Sequence, residues 1–152
     1  MITITRTSAA DPHFNELIGE LDKDLWNRYQ PYQAKYDGFN KVDDSARVLV
    51  AYHAGVPVGC GCFRPTDEAT TVEIKRMFVA PDARGLGVAR QVLRELENWA
   101  VEEGYTTARL ETGTGQPEAI ALYQTSGYDA IEAYGPYVGL TTSVCLGKRL
   151  NA

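Results

Sequence analysis

Residues 84–89 read Arg-Gly-Leu-Gly-Val-Ala and lead into a long amphipathic run. Glycines at a strand-to-helix turn let the backbone bend sharply and approach a ligand. The N–H groups at the helix start, helped by its dipole, then form an anion site. The plain alternative is an ordinary turn whose glycines only supply positive φ. A P-loop is excluded, because Val88 and Ala89 stand where its lysine and Mg²⁺-binding hydroxyl belong. A dinucleotide site fits the spacing better, with Glu111 closing the next strand about 20 residues on. Against it, Arg90 occupies the third-glycine position and the segment "APDAR" separates strand from turn. Too little chain also follows Glu111 for a second mononucleotide half.

Other reactive side chains give weaker signals. Cys60 and Cys62 lie two apart in a strand-like run and share a face, while Cys145 is distant. With only two histidines, neither at ligand spacing from a cysteine, no metal site is expected. The three thiols read as small buried apolar residues, reduced in a cytoplasm. His53, ahead of "AGVP", has the chemistry of a base but reads more simply as a hairpin residue.

The surrounding pattern predicts the elements that must position the glycine turn. "ITITRT" alternates as a strand, and Asp11-Pro12 caps a helix running to about Tyr29, with Phe14, Leu17, Ile18, Leu21 and Leu25 on one face. The segment "QPYQAKYDGFNKVDD" reads as a short helix or surface loop. Two strands flank "HAGV", and "TVEIKRMFV" makes a third, giving an antiparallel meander. A βαβ unit follows: the strand from Val72 to Val79, a helix from Gly87 to Glu103 ended by Gly104, and the strand "TTARLE". Ala89, Val92, Leu93, Leu96, Trp99 and Ala100 form that helix's apolar face. A short helix from Pro117 to Ser126 stops at Gly127, and "YDAI" and "SVCLGKRL" close the sheet. The fold class is therefore mixed α+β, with one parallel pair in a mostly antiparallel sheet.

"VEIKRMFVAPDARGLGVARQVL" resembles the acetyl-CoA-binding core of the GNAT superfamily of N-acetyltransferases. The resemblance rests on Arg84, Gly85, Gly87 and Val88, in the Arg-Gly-x-Gly variant of the family signature. "QPEAIALYQTSGY" resembles the family's second segment through Ala119, Leu122, Tyr123, Gly127 and Tyr128, with Gln116 where asparagine is usual. Two motifs in the right order are far more specific than either alone. They imply acetyl transfer from acetyl-CoA to an amine, without metal, on a central twisted sheet flanked by helices.

The resemblance also assigns residues. The CoA pyrophosphate is expected on the backbone of Arg84, Gly85, Leu86, Gly87, Val88 and Ala89, with charge from the Arg84 side chain. The pantetheine arm is expected along Met77, Phe78 and Val79, and Gln116 is expected beside the cofactor. A backbone N–H near Phe78 or Val79 would face the thioester oxygen where two strands splay. Tyr123 is the expected proton donor to the leaving sulfur, its alternative being a core aromatic. Glu73, four residues before Met77 on the same strand face, is the expected base, directly or through water, its alternative being a strand carboxylate paired with Lys75 or Arg64. Trp26, Tyr29, Tyr32, Tyr134 and Tyr137 are expected around the acceptor, or else as plain packing residues.

Composition sets the remaining limits. The 152 residues, 44% hydrophobic and 23% charged, suffice for one domain spanning residues 1–152. Neither an export signal nor a membrane span is read, so a cytoplasmic location is expected. A net charge of −5 without basic runs argues against nucleic acid or anionic membrane as partner and tolerates a cationic small molecule. The expected acceptor is accordingly a small-molecule amine. A protein or peptide acceptor, a non-catalytic acyl-CoA sensor and a homodimer all stay open.

Overall fold

The computed structural model describes residues 1–29, 42 and 44–150. Strand β1 (Ile2–Thr7) leads to helix α1 (Pro12–Tyr29), and β2 (Arg47–His53), β3 (Val56–Pro65) and β4 (Thr71–Val79) form the meander. A 3-10 turn (Pro81–Ala83) precedes α2 (Val88–Glu102), then come β5 (Thr107–Gly113) and α3 (Pro117–Thr125). The short β6 (Asp129–Ala130), a second 3-10 turn (Gly135–Tyr137) and β7 (Ser143–Arg149) complete the order. The seven strands lie as β1-β2-β3-β4-β5-β7-β6, and every pairing is antiparallel except β4 with β5.

Local chemistry explains these boundaries. The Asp11 carboxylate accepts from the His13 N–H at 2.8 Å and the Phe14 N–H at 3.2 Å, capping α1 as the Asp-Pro pair predicts. Ala54 (φ 52°) and Gly55 (φ 80°) are both left-handed, the geometry of a two-residue hairpin turn whose twist suits the flanking strands. Only two residues of "YDAI" pair as β6, with the Ile131 N–H adding a bond to the Cys145 carbonyl. Of the predicted short helix or surface loop at 30–44, residues 30–41 and 43 lie outside the described residues.

Alternation along the strands divides the core between two faces. Val48, Val50, Cys60, Cys62 and Phe78 pack under α1 with Phe14, Leu17 and Leu21. Leu49, Ala51, Phe63, Val72 and Ile74 pack under α2 with Val92, Leu93 and Leu96. Val88 takes the buried place that the periodicity gave to Ala89, which stands at the helix margin. The reason is that α2 starts at Val88, so its first turn meets the sheet through that residue.

Two departures from regularity shape β4. Cys60 pairs with Phe78 but Cys62 pairs with Lys75, so Gly61 faces the two residues Arg76 and Met77 across a bulge. Arg76 adopts φ 58° there, rare for a residue with a long side chain. The parallel ladder with β5 then stops at Ile74 opposite Leu110, although both strands continue. The sheet opens at that point.

Candidate active site

Each of the two glycines in the turn does a separate job. Gly85 (φ 86°) and Gly87 (φ 77°) are both left-handed, and Gly87 is the residue from which α2 starts. The first helical bond runs from the Gln91 N–H to the Gly87 carbonyl at 3.1 Å. The N–H groups of Val88, Ala89 and Arg90 therefore precede the helical ladder and present the positive end of the dipole.

A cleft of about 350 Å³ starts at this turn. Gly85, Gly87, Val88, Ala89 and Arg84 form its outer end, and Met77, Phe78 and Val79 form the wall along β4. Gln116, Ala119, Leu122 and Tyr123 of the α3 region form the opposite wall, and Leu21 and Asp24 of α1 close one side. Nine of the ten cofactor residues expected from sequence thus line one cleft. Leu86 is the exception: it is half-exposed and lies outside the lining.

The polar groups in the cleft are anchored. Arg84 folds back so that its Nε donates to the Val79 carbonyl at 3.1 Å, its guanidinium 6.0 Å from the centre of the Phe78 ring. The Gln116 side-chain oxygen accepts from the Thr112 hydroxyl and the Gly113 N–H, each at 3.4 Å, tying α3 to the end of β5. Tyr123 is buried against Tyr128, with ring centres 5.9 Å apart. Burial pushes the Tyr123 phenol well above its ordinary range, and the charge of Glu111 pushes it further.

Across the opening, on the α1 face, lies a polar cluster. The alternation that buries Val72 and Ile74 under α2 turns Glu73 and Lys75 the other way, and on β5 it does the same for Arg109 and Glu111. Arg64 donates to Glu73 Oε1 through Nε at 2.9 Å and Nη2 at 2.8 Å, and the Tyr134 hydroxyl donates to Oε2 at 2.8 Å. Lys75 Nζ lies 3.9 Å from that same oxygen and donates to the Tyr137 hydroxyl at 2.9 Å. Both oxygens of Glu73 are thus already engaged. Burial pulls the Lys75 ammonium below its ordinary range, against the charge of Glu73.

Glu111, which sequence reasoning weighed only as the acidic residue of a dinucleotide site, sits half-buried one residue past the last parallel pair. Burial pushes its carboxyl above the ordinary range, although a hydrogen bond with Ser143 and the charge of Lys75 pull it back. The signal available in sequence was position alone: Glu111 shares a strand face with Arg109 and follows the apolar Leu110.

The remaining expected residues divide. Tyr134 and Tyr137 pack edge to face at 5.4 Å and lie over β4 and β5, with Tyr134 also stacked 4.1 Å from the Arg109 guanidinium. Trp26 is exposed on α1 and lies outside the cleft lining. Tyr32 and the Tyr29 side chain fall outside the described residues. Cys60 and Cys62 are buried and donate to the Arg76 and Lys75 carbonyls at 3.4 Å. Burial pushes the Cys62 thiol up to about 12 and moves Cys60 the same way, so both stay protonated. Among the described residues no group of three or more His, Cys, Asp or Glu is placed to hold a metal ion.

The chain is similar to known proteins. The family model described as "Acetyltransferase (GNAT) family" matches residues 11–128. An IAA acetyltransferase from Azospirillum brasilense is 37% identical over 138 residues, covering 90% of each chain. A solved structure from Klebsiella pneumoniae, described as an acyl-CoA N-acyltransferase, is 33% identical with a TM-score of 0.83, covering 99% of both chains. A GNAT-family acetyltransferase from Elizabethkingia anophelis, solved with acetyl-CoA bound, has a TM-score of 0.69 at 20% identity and covers 98% of both chains, a likeness of fold.

Proposed function

This chain belongs to the acetyltransferase (GNAT) family and is an acetyl-CoA-dependent acyltransferase, and on that premise we propose that its acceptor is a small-molecule primary amine attacking the thioester directly. One observation carries the reading: the cleft that starts at the glycine turn is walled by Met77, Phe78 and Val79 of β4 and by Tyr123, and the carboxylates of Glu73 and Glu111 stand on the α1 face of β4 and β5 around the end of their parallel ladder. The co-substrate would enter on the face of α2 and α3, and the amine on the face of α1.

In this reading the backbone from Arg84 to Ala89 holds the pyrophosphate, because left-handed glycines and a helix start aim N–H groups at one point. The pantetheine arm runs beside Met77, Phe78 and Val79 with Gln116 opposite. Beyond the bulge, the backbone N–H of Phe78 or Val79 stabilises charge on the thioester oxygen as the nitrogen attacks. Tyr123 gives its proton to the departing thiolate. Glu73 holds Tyr134 and Lys75 in place and sets the field on the acceptor side, with water as its route to any proton. Tyr134 and Tyr137 wall the acceptor side, and Trp26, Tyr29 and Tyr32 remain candidates for contact with the acceptor.

Further parts of the reading rest on broader observations. All described strands share one sheet, which supports taking residues 1–152 as one domain. The net charge of −5 supports a partner other than nucleic acid or anionic membrane, and a cytoplasmic location belongs to the same reading. The site draws on one chain and is compatible with a homodimer.

The test is release of CoA thiol from acetyl-CoA across polyamines, amino acids, aminoglycosides, hydroxylamine and lysine peptides. Release that depends on a small amine is expected. Release with peptides alone would move the acceptor to protein, and acetyl-CoA binding without release for any acceptor would favour a sensor.

A further inference from the structure

Val72 and Ile74 of β4 face α2, and strict alternation would send Arg76 the same way, into the apolar packing of Val92 and Leu96. A guanidinium cannot be buried there without a partner. The bulge opposite Gly61 removes the conflict. Lys75 and Arg76 both face α1, and Met77 takes the place on the α2 side, where a Cβ on Gly61 would lie 2.5 Å from its Sδ.

Arg76 is fastened through both side chain and backbone. Nη2 donates to Asp22 Oδ1 of α1 at 2.7 Å and to the Ile18 carbonyl at 3.4 Å. The Arg76 carbonyl accepts from the Cys60 thiol of β3 at 3.4 Å. These bonds hold a residue whose φ of 58° is otherwise rare for a long side chain. Asp22 stands between Leu21 and Asp24, which close one side of the cleft, while Met77, Phe78 and Val79 beyond the bulge form another wall. The tether therefore joins two walls of the cleft.

The bulge also fixes which amides face that cleft. The Ala80 N–H donates to the Val58 carbonyl at 2.8 Å, so alternation directs the Phe78 N–H to β3 as well and leaves the Val79 N–H on the open side. The Val79 carbonyl, which accepts from Arg84 Nε at 3.1 Å, faces that side too. Loss of the bulge would slip β4 by one residue and turn the Val79 N–H to β3.

We propose that Arg76 is a positioning residue: its ion pair with Asp22 holds the β4 bulge in the register that aims the Val79 N–H into the cleft, so that the seating of α1 and the geometry offered to the thioester are set together. The proposal rests on the reading above in which a β4 amide meets the thioester oxygen.

Three variants test it: Asp22→Ala, Asp22→Ala combined with Arg76→Met, and Arg76→Lys, which keeps a cation for Asp22. Each is measured for melting, for kcat and KM with acetyl-CoA and the fastest panel amine, and for the shift of the Val79 amide ¹⁵N signal as acetyl-CoA is added, a readout that needs no acceptor. Asp22→Ala is expected to lose about 10-fold or more in kcat through misplacement of the amide, together with most of the Val79 shift. The double variant is expected to regain stability without regaining kcat or the Val79 shift, and Arg76→Lys to keep most of both. A double variant whose kcat returns with its stability would make the pair structural and overturn the proposal, as would wild-type kcat and Val79 shift in Asp22→Ala. A wild type that acetylates no amine would defeat the amine reading, and the Val79 signal then decides alone: a shift that Asp22→Ala lacks supports the tether, and equal shifts overturn it.

Discussion

Ile74 faces Leu110 in the last parallel pair of β4 and β5, and one residue further along β5 comes Glu111, already beside the opening. Near it stands the cluster of Glu73, Lys75 and Glu111, and beyond the end of the ladder Met77, Phe78 and Val79 of β4 wall the cleft that Tyr123 also lines. A strand pair that stayed zipped would close the opening. The bulge at Arg76 and the loss of pairing beyond Ile74 together leave it open.

Helix α2 approaches the sheet closely because β3 carries glycines beneath it. A Cβ on Gly59 would lie 2.7 Å from Val88 Cγ1 and 3.2 Å from the Phe78 carbonyl oxygen. Gly59→Ala is therefore expected to cost about 1–3 kcal/mol by overpacking and to weaken acetyl-CoA binding by moving the start of α2. Urea unfolding and calorimetric titration measure the two effects.

Gly87 has open space around its Cβ position, so Gly87→Ala acts through backbone conformation alone. At φ 77° the expected penalty is about 1–2 kcal/mol. Gly104→Ala, at φ 94° beyond the far end of α2, should lose similar stability. Only the Gly87 variant should lose acetyl-CoA affinity beyond what its stability explains.

Arg76 is buried at the bulge, with Nη2 2.7 Å from Asp22 on α1 and 3.4 Å from the Ile18 carbonyl. Its Nε has no partner among the described residues, whereas the Asp22 side chain is 54% exposed. Removing Asp22 thus strands a buried cation, while water can receive Asp22 if the arginine goes. Asp22→Ala should destabilise by about 1–3 kcal/mol, with exposure of the carboxylate holding the figure below that of a fully buried pair. Adding Arg76→Met should recover part of the loss; simple addition of two losses in urea unfolding would contradict this.

Glu111 sets a pH dependence of stability. Its carboxyl is raised in the folded state, so the native protein binds the proton more tightly than the unfolded chain does. The stability it contributes is complete below the unfolded pKa and is lost as pH rises through the raised folded value. Glu111→Gln should therefore melt higher than wild type near neutral pH, with the gap narrowing in acid. A gap that widens in acid would mean that the sign is wrong.

Much of this fold was legible because it rests on local signals. The Asp11 cap, the left-handed turn at Ala54 and Gly55, and the amphipathic face of α2 each follow from residues near in sequence. The glycine turn and the Tyr123 segment converged on one cleft, which makes the two motifs worth more together than apart. What sequence did not reveal was nonlocal. That Glu73 is engaged by Arg64 and Tyr134 depends on the β3 register and on a loop 61 residues away. That Glu111 stands beside an opening depends on where the parallel ladder ends, which no run of residue types encodes. Leu21 and Asp24 line the cleft only because α1 crosses β4, so their helical periodicity carried no sign of it.

Tyr123→Phe, compared with wild type for acetyl-CoA affinity and for turnover with the fastest panel amine, tests the central claim most directly. The substitution removes one oxygen from a buried ring and leaves the Tyr128 contact in place. The expected result is a fall in kcat of about 100-fold or more with acetyl-CoA affinity unchanged within about twofold. Wild-type kcat in the variant under every acceptor would contradict proton donation by Tyr123 and with it the chemistry assigned to this cleft.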